Sequence, residues 1–223
     1  MSAIRTSLIT LLLVFVSSTL LAAEKTLILG NGIPLKILFF EPEESLESPP
    51  LALFIAGGTS NEFMARAQFW FGRELVERGW AIAVPISPDG KLFSVESAKL
   101  FPELIEKLRS DHDLDEAKPL LIGMSSGGSA ALEIATANPT VYRGVVAAPG
   151  RLKEDALIDT LQGLPVYLRV GERDDFRWNL TMQSVVARLR AAGAAVDADI
   201  MPDARHIFRL DWDNLEDWLQ NLQ

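Results

Sequence analysis

Cysteine is absent from the 223 residues, and histidine occurs only as His112 and His206. The first absence excludes disulfides, thiolate metal sites, a cysteine nucleophile and a lipid-modified amino-terminal cysteine, so stability has to come from an apolar core. No basic cluster of the kind that tracks a phosphate backbone occurs. The 21 lysines and arginines are outnumbered by 30 acidic residues, giving a formal charge of −9 and arguing against nucleic acid as a partner. Long apolar runs are also missing. The stretch from Leu8 to Ala23 is interrupted by Thr10, Ser17, Ser18 and Thr19 and falls short of the roughly 20 apolar residues that a membrane span needs. There is no internal repeat, low-complexity tract or second composition regime, which predicts one domain over residues 24–223.

With 48% hydrophobic and 23% charged residues, the chain has an ordinary globular composition and enough length for one substantial core. The amino terminus stands apart. Arg5, the apolar run Leu8 to Val16 and small residues up to Ala22 and Ala23 follow the layout of a secretory signal peptide. The expectation is export to the periplasm or medium, with residues 1–23 removed and no stable membrane insertion afterwards.

Strand-like and helix-like segments then alternate. Thr26 to Leu29 and Leu35 to Phe40, joined through Gly30-Asn31-Gly32, read as an opening hairpin. The acidic, proline-bearing stretch Glu41 to Pro50 reads as a surface loop. Leu51 to Ala56 is a continuous apolar run, as expected of a parallel strand buried on both faces. Further strands are predicted at Trp80–Val84, Leu120–Gly123, Gly144–Ala148, Val166–Val170 and Val196–Met201. Helical periodicity falls on Phe69, Gly72 and Val76; on Leu100, Leu104, Ile105 and Leu108, where Pro102 blurs the start; on Gly128 to Ala135; on Met182 to Leu189; and on Trp212 to Leu222. Such alternation specifies an α/β domain with a mostly parallel sheet and helices on both faces.

Gly123-Met124-Ser125-Ser126-Gly127 carries the most chemistry. A G-x-S-x-G between a buried strand and a helix is the nucleophile-elbow pattern, which exposes a serine hydroxyl at the mouth of the sheet. The glycines are needed because side chains there would collide across the sharp turn. A serine hydroxyl needs a base within hydrogen-bond reach. His206 follows the last strand, whose carboxyl end shares a rim with the elbow. His112, in the charged connection Asp111-His112-Asp113, reads as a solvated loop residue. The imidazole needs a carboxylate to fix its tautomer. Gly171-Glu172-Arg173-Asp174-Asp175 follows a strand on the same rim, and Asp174 is the choice, ahead of Asp175, Glu172 and Asp203. For the oxyanion, the backbone N–H of Ser126 is one expected donor and that of Gly58 or Thr59, in Gly57-Gly58-Thr59-Ser60-Asn61, the other.

On these motifs and on Ala56-Gly57-Gly58, the chain resembles the α/β-hydrolase superfamily from about residue 25 to 222, most of all its small, lidless esterases and dienelactone-hydrolase-like members. The resemblance implies Ser125 as nucleophile, His206 as base, Asp174 as its orienter, and Gly58 and Ser126 as oxyanion donors. It also implies a small-molecule ester substrate, with no metal or cofactor required by the reaction. One departure is Ala56, where members commonly place a histidine. Pro149 to Pro165 is short and half polar, leaving room for one small helix but no large cap. The same machinery would serve a thioesterase or peptidase, and a non-catalytic binding protein could keep the fold. Phe63, Phe69, Trp70, Phe71, Phe176 and Trp178 are expected to be mainly core residues. Arg173, Arg177 and Arg205 flank the expected acid and base. Oligomeric state is not readable from the residues.

Overall fold

The computed structural model describes residues 23–30, 32–43, 48–88, 90–91, 93–154, 156, 158 and 160–222. The expected signal peptide lies outside the described residues except for Ala23. So do Asn31 of the opening turn, residues 44–47 of the acidic loop, and Asp155 and Asp159.

The strands are β1 (Ala23–Ile28), β2 (Pro34–Phe40), β3 (Leu51–Ile55), β4 (Ala81–Pro85), β5 (Leu120–Gly123), β6 (Gly144–Ala147), β7 (Pro165–Gly171) and β8 (Ala195–Met201). They form one open sheet in the order β1-β2-β4-β3-β5-β6-β7-β8. β2 pairs antiparallel with both β1 and β4, and every pair from β4 to β8 is parallel. The helices are α1 (Glu62–Gln68), α2 (Trp70–Glu77), α3 (Phe101–Asp111), α4 (Ser126–Ala137), α5 (Met182–Ala191) and α6 (Trp212–Gln220).

The two-residue period of the strands splits the core into two layers. Leu51, Leu53 and Ile55 of β3 face the layer built by α3, α4 and α5, with Leu104, Leu108, Leu132 and Leu189. Ala52 and Phe54 face the opposite layer, built by α1, α2 and α6, with Ala65, Leu75, Leu215 and Leu219. Burying each such leucine contributes about 1.5–3 kcal/mol, and two dry faces explain why the central strands are apolar throughout. The edge strand β8 alternates exposed and half-buried residues. It turns Asp197 and Asp199 outward, which discourages edge-to-edge pairing.

Sequence periodicity misses one detail. The expected single helix after β3 is two helices, interrupted at Phe69, whose ring stacks on Phe40 with centroids 3.5 Å apart. Gly72 makes room for that ring, since a Cβ there would meet Phe69 at 2.8 Å. Pro102 lies in the first turn of α3, after a 3-10 turn at Val95–Leu100. A missing N–H costs nothing there, because first-turn donors have no helical partner. No helix occurs among the described residues between Pro149 and Pro165.

The order of strands positions the site. The chain leaves β3 through α1 and α2 on one face to reach β4, then returns through α3 on the other face to β5. β3 and β5 are neighbours whose following loops diverge, so a crevice opens at their carboxyl ends.

Candidate active site

Three glycines allow the turn from β5 into α4. A Cβ on Gly123 would stand 2.1 Å from the Gly127 carbonyl oxygen; on Gly127, 2.1 Å from that of Ile55; and on Gly128, 2.2 Å from that of Pro149. All three obstacles are backbone, which cannot step aside as a side chain can. Ser125 itself has φ +58° and ψ −126°, a conformation costing a non-glycine residue about 1–3 kcal/mol. Its N–H donates to the Pro149 carbonyl at 2.8 Å, and its carbonyl accepts from the Ser129 N–H at 3.0 Å. Both backbone ends are held, so the hydroxyl is presented in a fixed direction.

His206, in the loop between β8 and α6, is buried, and its Nε2 lies 2.7 Å from the Ser125 Oγ. On the other side of the ring, Nδ1 is 2.7 Å from Oδ2 of Asp174. An Nδ1–H donating to the carboxylate leaves Nε2 as the acceptor for the serine hydroxyl. The side chain of Asp174 is wholly buried. Its Oδ1 accepts the backbone N–H groups of Phe176 at 2.8 Å and Trp178 at 3.3 Å. Three donors compensate the desolvation that an isolated carboxylate could not bear. The structure therefore brings Ser125, His206 and Asp174 into one hydrogen-bonded line.

The rival acids go elsewhere. Asp175 is 2.5 Å from the Arg205 guanidinium, whose hydrogen bond and charge hold its carboxyl below the usual carboxylate range. Asp203 pairs with Arg173, and Glu172 takes the Asp203 N–H at 2.8 Å. Two of the three flanking arginines are thus already neutralised on the surface.

The loop after β3 is held peptide by peptide. The Ala56 carbonyl accepts from Ser60 Oγ at 2.8 Å, the Gly57 carbonyl from the Ser60 N–H at 3.3 Å, and the Gly58 carbonyl from Ser126 Oγ at 2.9 Å. The Gly57 N–H donates to Oε1 of Gln68 at 2.6 Å. In a trans peptide the C=O and the following N–H point in opposite directions. The Thr59 N–H therefore turns away from Ser126. Gly58 and Ser126 donate their N–H groups to no other described residue, and Ser126 heads α4, where such donors are unpaired by construction. Gly58 has φ +63°, in the region that favours glycine.

Aromatic residues divide differently from the sequence expectation. Phe69 and Phe71 are core residues, but Phe63 is 75% exposed and Phe176 67% exposed. Phe176 and Trp178 pack against the His206 ring, at centroid distances of 4.6 and 4.9 Å and near-perpendicular angles. A pocket of about 170 Å³ opens beside Ser126, lined by Phe93, Ser129, Glu133, Arg151 and Trp178 among others. His112 is not a solvated loop residue. Its side chain is 9% exposed, with Nδ1 3.0 Å from Glu41, Nε2 against the Lys25 ammonium, and the ring 4.0 Å from that of Phe39. Sequence reasoning placed Ser60 in the oxyanion loop without a role and did not single out Gln68, and nothing in their local pattern marks what either one holds.

Residues 90–217, more than half of the chain, match the model of the dienelactone hydrolase family. The chain belongs to that family. Membership makes it an enzyme, an esterase-like hydrolase. Its fold is shared by solved esterases and other hydrolases. A carboxylesterase from Mesorhizobium loti is 17% identical with TM-score 0.65, over 88% of this chain and 99% of that one. An S-formylglutathione hydrolase from Staphylococcus aureus is 12% identical with TM-score 0.68, over 92% and 98%. A thermostable esterase is 16% identical with TM-score 0.65, over 82% of this chain and 55% of its own length, so this family member spans little more than half of it. At these identities the likeness is one of fold. Among curated proteins none matches.

Proposed function

We propose that the protein is an exported serine hydrolase that cleaves carboxylic esters of small molecules through an acyl-enzyme. The observation that carries this reading is the unbroken line from the Ser125 hydroxyl through His206 to a buried, triply bonded Asp174, 2.7 Å at each step. The Ser125 oxygen attacks the ester carbonyl carbon as its proton passes to Nε2 of His206. The carbonyl oxygen becomes an oxyanion facing the N–H groups of Gly58 and Ser126. The carbon–oxygen bond to the alcohol then breaks, and the imidazolium returns the proton to the departing oxygen. Water repeats the cycle on the acyl-enzyme, releasing the acid and restoring Ser125. Asp174 keeps the imidazole in the tautomer that accepts at Nε2 and stabilises its charged form without taking the proton.

The choice of Gly58 over Thr59 follows from the Ser126 hydroxyl, which draws the Gly58 carbonyl toward the elbow and sends the Thr59 N–H away from it. The pocket of about 170 Å³ lies beside Ser126 and Trp178 rather than around Ser125 itself, and it is small against the roughly 300 Å³ and upward of drug-sized sites; a substrate group reaching into it from Ser125 would be a short one. Export rests on Arg5, the apolar run Leu8 to Val16 and the small residues before Ala23; amino-terminal sequencing of the protein from a periplasmic or culture fraction tests it.

A fluorophosphonate probe is expected to label wild-type protein at Ser125, and p-nitrophenyl acetate and butyrate to be hydrolysed faster than the decanoate. Folded wild-type protein that takes no label and turns over none of these esters would instead favour a binding protein that retains the fold.

A further inference from the structure

Outside the hydrogen-bonded line, one polar side chain stands against the reaction centre with no role assigned so far. Gln68, the last residue of α1, gives its Oε1 to the Gly57 N–H at 2.6 Å. A Cβ built on Gly57 would lie 3.1 Å from the Gln68 Nε2, 3.1 Å from the Ser125 Cβ and 2.8 Å from the Met124 carbonyl oxygen. The amide and the nucleophile therefore flank the same point. Because Oε1 is committed to the Gly57 N–H, the orientation of the amide is fixed.

From this geometry we infer that Gln68 is a positioning residue of the oxyanion site, acting through the Gly57 peptide. The inference rests on the serine-hydrolase reading and deepens it. Residues 57–59 contain two consecutive glycines, which have more backbone freedom than any other pair. The loop must nevertheless hold the Gly58 N–H within about 3 Å of the oxyanion for the donor to act. Carbonyls are held by Ser60 and Ser126, as described above, but among the described residues the N–H of the peptide entering the loop is fastened only by Gln68. Without that acceptor, the Gly57 N–H is left without a partner beside the buried strand end, a state that drives the backbone to rotate. Rotation about Gly57 re-aims the next N–H, that of Gly58. The Gly57 Cα has no substituent to resist the movement. Gln68 can supply the restraint because α1 is itself fastened: Asn61 caps it by accepting the Met64 N–H at 2.9 Å, and Glu62 is paired with Lys36 of β2 at 2.7 Å.

The test is Gln68→Leu, which keeps the bulk and removes the acceptor. Its kcat is expected to fall about 30- to 100-fold, up to the lower edge of the roughly 100- to 1000-fold cost of losing one oxyanion donor outright, with KM changed less than threefold. A trifluoromethyl ketone that forms a tetrahedral adduct with the serine should lose affinity by the same factor. A ground-state carboxylate product should bind as before. A purely structural role would not separate those two ligands. Pairing Gln68→Leu with Ser126→Ala should cost less than the product of the single losses, because both side chains restrain one loop. If Gln68→Leu does not fold, Gln68→Met, unbranched and of similar length, takes its place with the same expectations. Activity of the unlabelled variant within threefold of wild type, with Ser125 of a separate sample still taking the fluorophosphonate, overturns the role of Gln68 and leaves the nucleophile intact. Wild-type protein that takes no label overturns both.

Discussion

The two histidines occupy surroundings that look alike on paper. Each has a carboxylate on Nδ1, Glu41 for His112 and Asp174 for His206, and each packs against aromatic rings. Three physical differences separate them. The Asp174 side chain is fully buried and held by two further backbone donors, whereas Glu41 is 47% exposed. Nε2 of His206 meets a hydroxyl on a strained elbow, whereas Nε2 of His112 accepts a hydrogen bond from the ammonium of Lys25, which has no lone pair with which to attack a substrate. His206 follows β8 on the carboxyl rim of the sheet, while His112 closes α3 below β5. A carboxylate–imidazole pair is therefore not a site in itself. It becomes one when the acid is immobile and the free nitrogen faces a nucleophile.

That contrast can be broken at graded points. The largest expected effect is from Ser125→Ala, which should lower ester turnover about 10⁴- to 10⁶-fold and abolish fluorophosphonate labelling, read by intact mass. His206→Ala should cost roughly 10⁴-fold in kcat, while His112→Ala should leave kcat/KM within twofold and lower the melting temperature only. If His112→Ala were the damaging change, the assignment of the two rings would have to be reversed. Next comes the acid. Asp174→Asn should cost about 10³- to 10⁴-fold through the wrong tautomer. Asp175→Asn, which loses an exposed pair with Arg205, and Glu41→Gln should each stay within threefold in the same assay. The smallest effect concerns the rings. Trp178→Ala should lower kcat about tenfold by loosening the imidazole, whereas Phe39→Ala should cost about 3–5 kcal/mol of stability by chemical denaturation with kcat nearly unchanged.

Where the physics is local, the sequence is informative. The elbow is legible because three glycines and a serine stand at the fixed spacing of a sharp strand-to-helix turn; the Gly123 obstacle lies within that turn, while those of Gly127 and Gly128 are the Ile55 and Pro149 carbonyls of other segments. The strands are legible because burial on both faces demands continuous apolar runs. The break at Phe69 is not, since both halves share one helical period and only the fit of its ring against Phe40 and Gly72 divides them. His112 reads as a loop residue because its partners, Lys25, Phe39 and Glu41, are about seventy to ninety positions away. Gln68 carries no signal at all. A glutamine ending an amphipathic helix is ordinary until the Gly57 N–H is found against it.

By itself, the sequence determined the α/β alternation, the elbow at Ser125 and the small set of residue types able to act with it, because these follow from short-range sterics and from having just two histidines. Only the tertiary structure decided which carboxylate reaches His206, which loop N–H faces the elbow and what holds that loop in place. Those choices turn on directions of individual hydrogen bonds between segments remote in the chain. The reason is geometric: a spacing along the polymer constrains where a residue is, but only packing constrains where its donors and acceptors point.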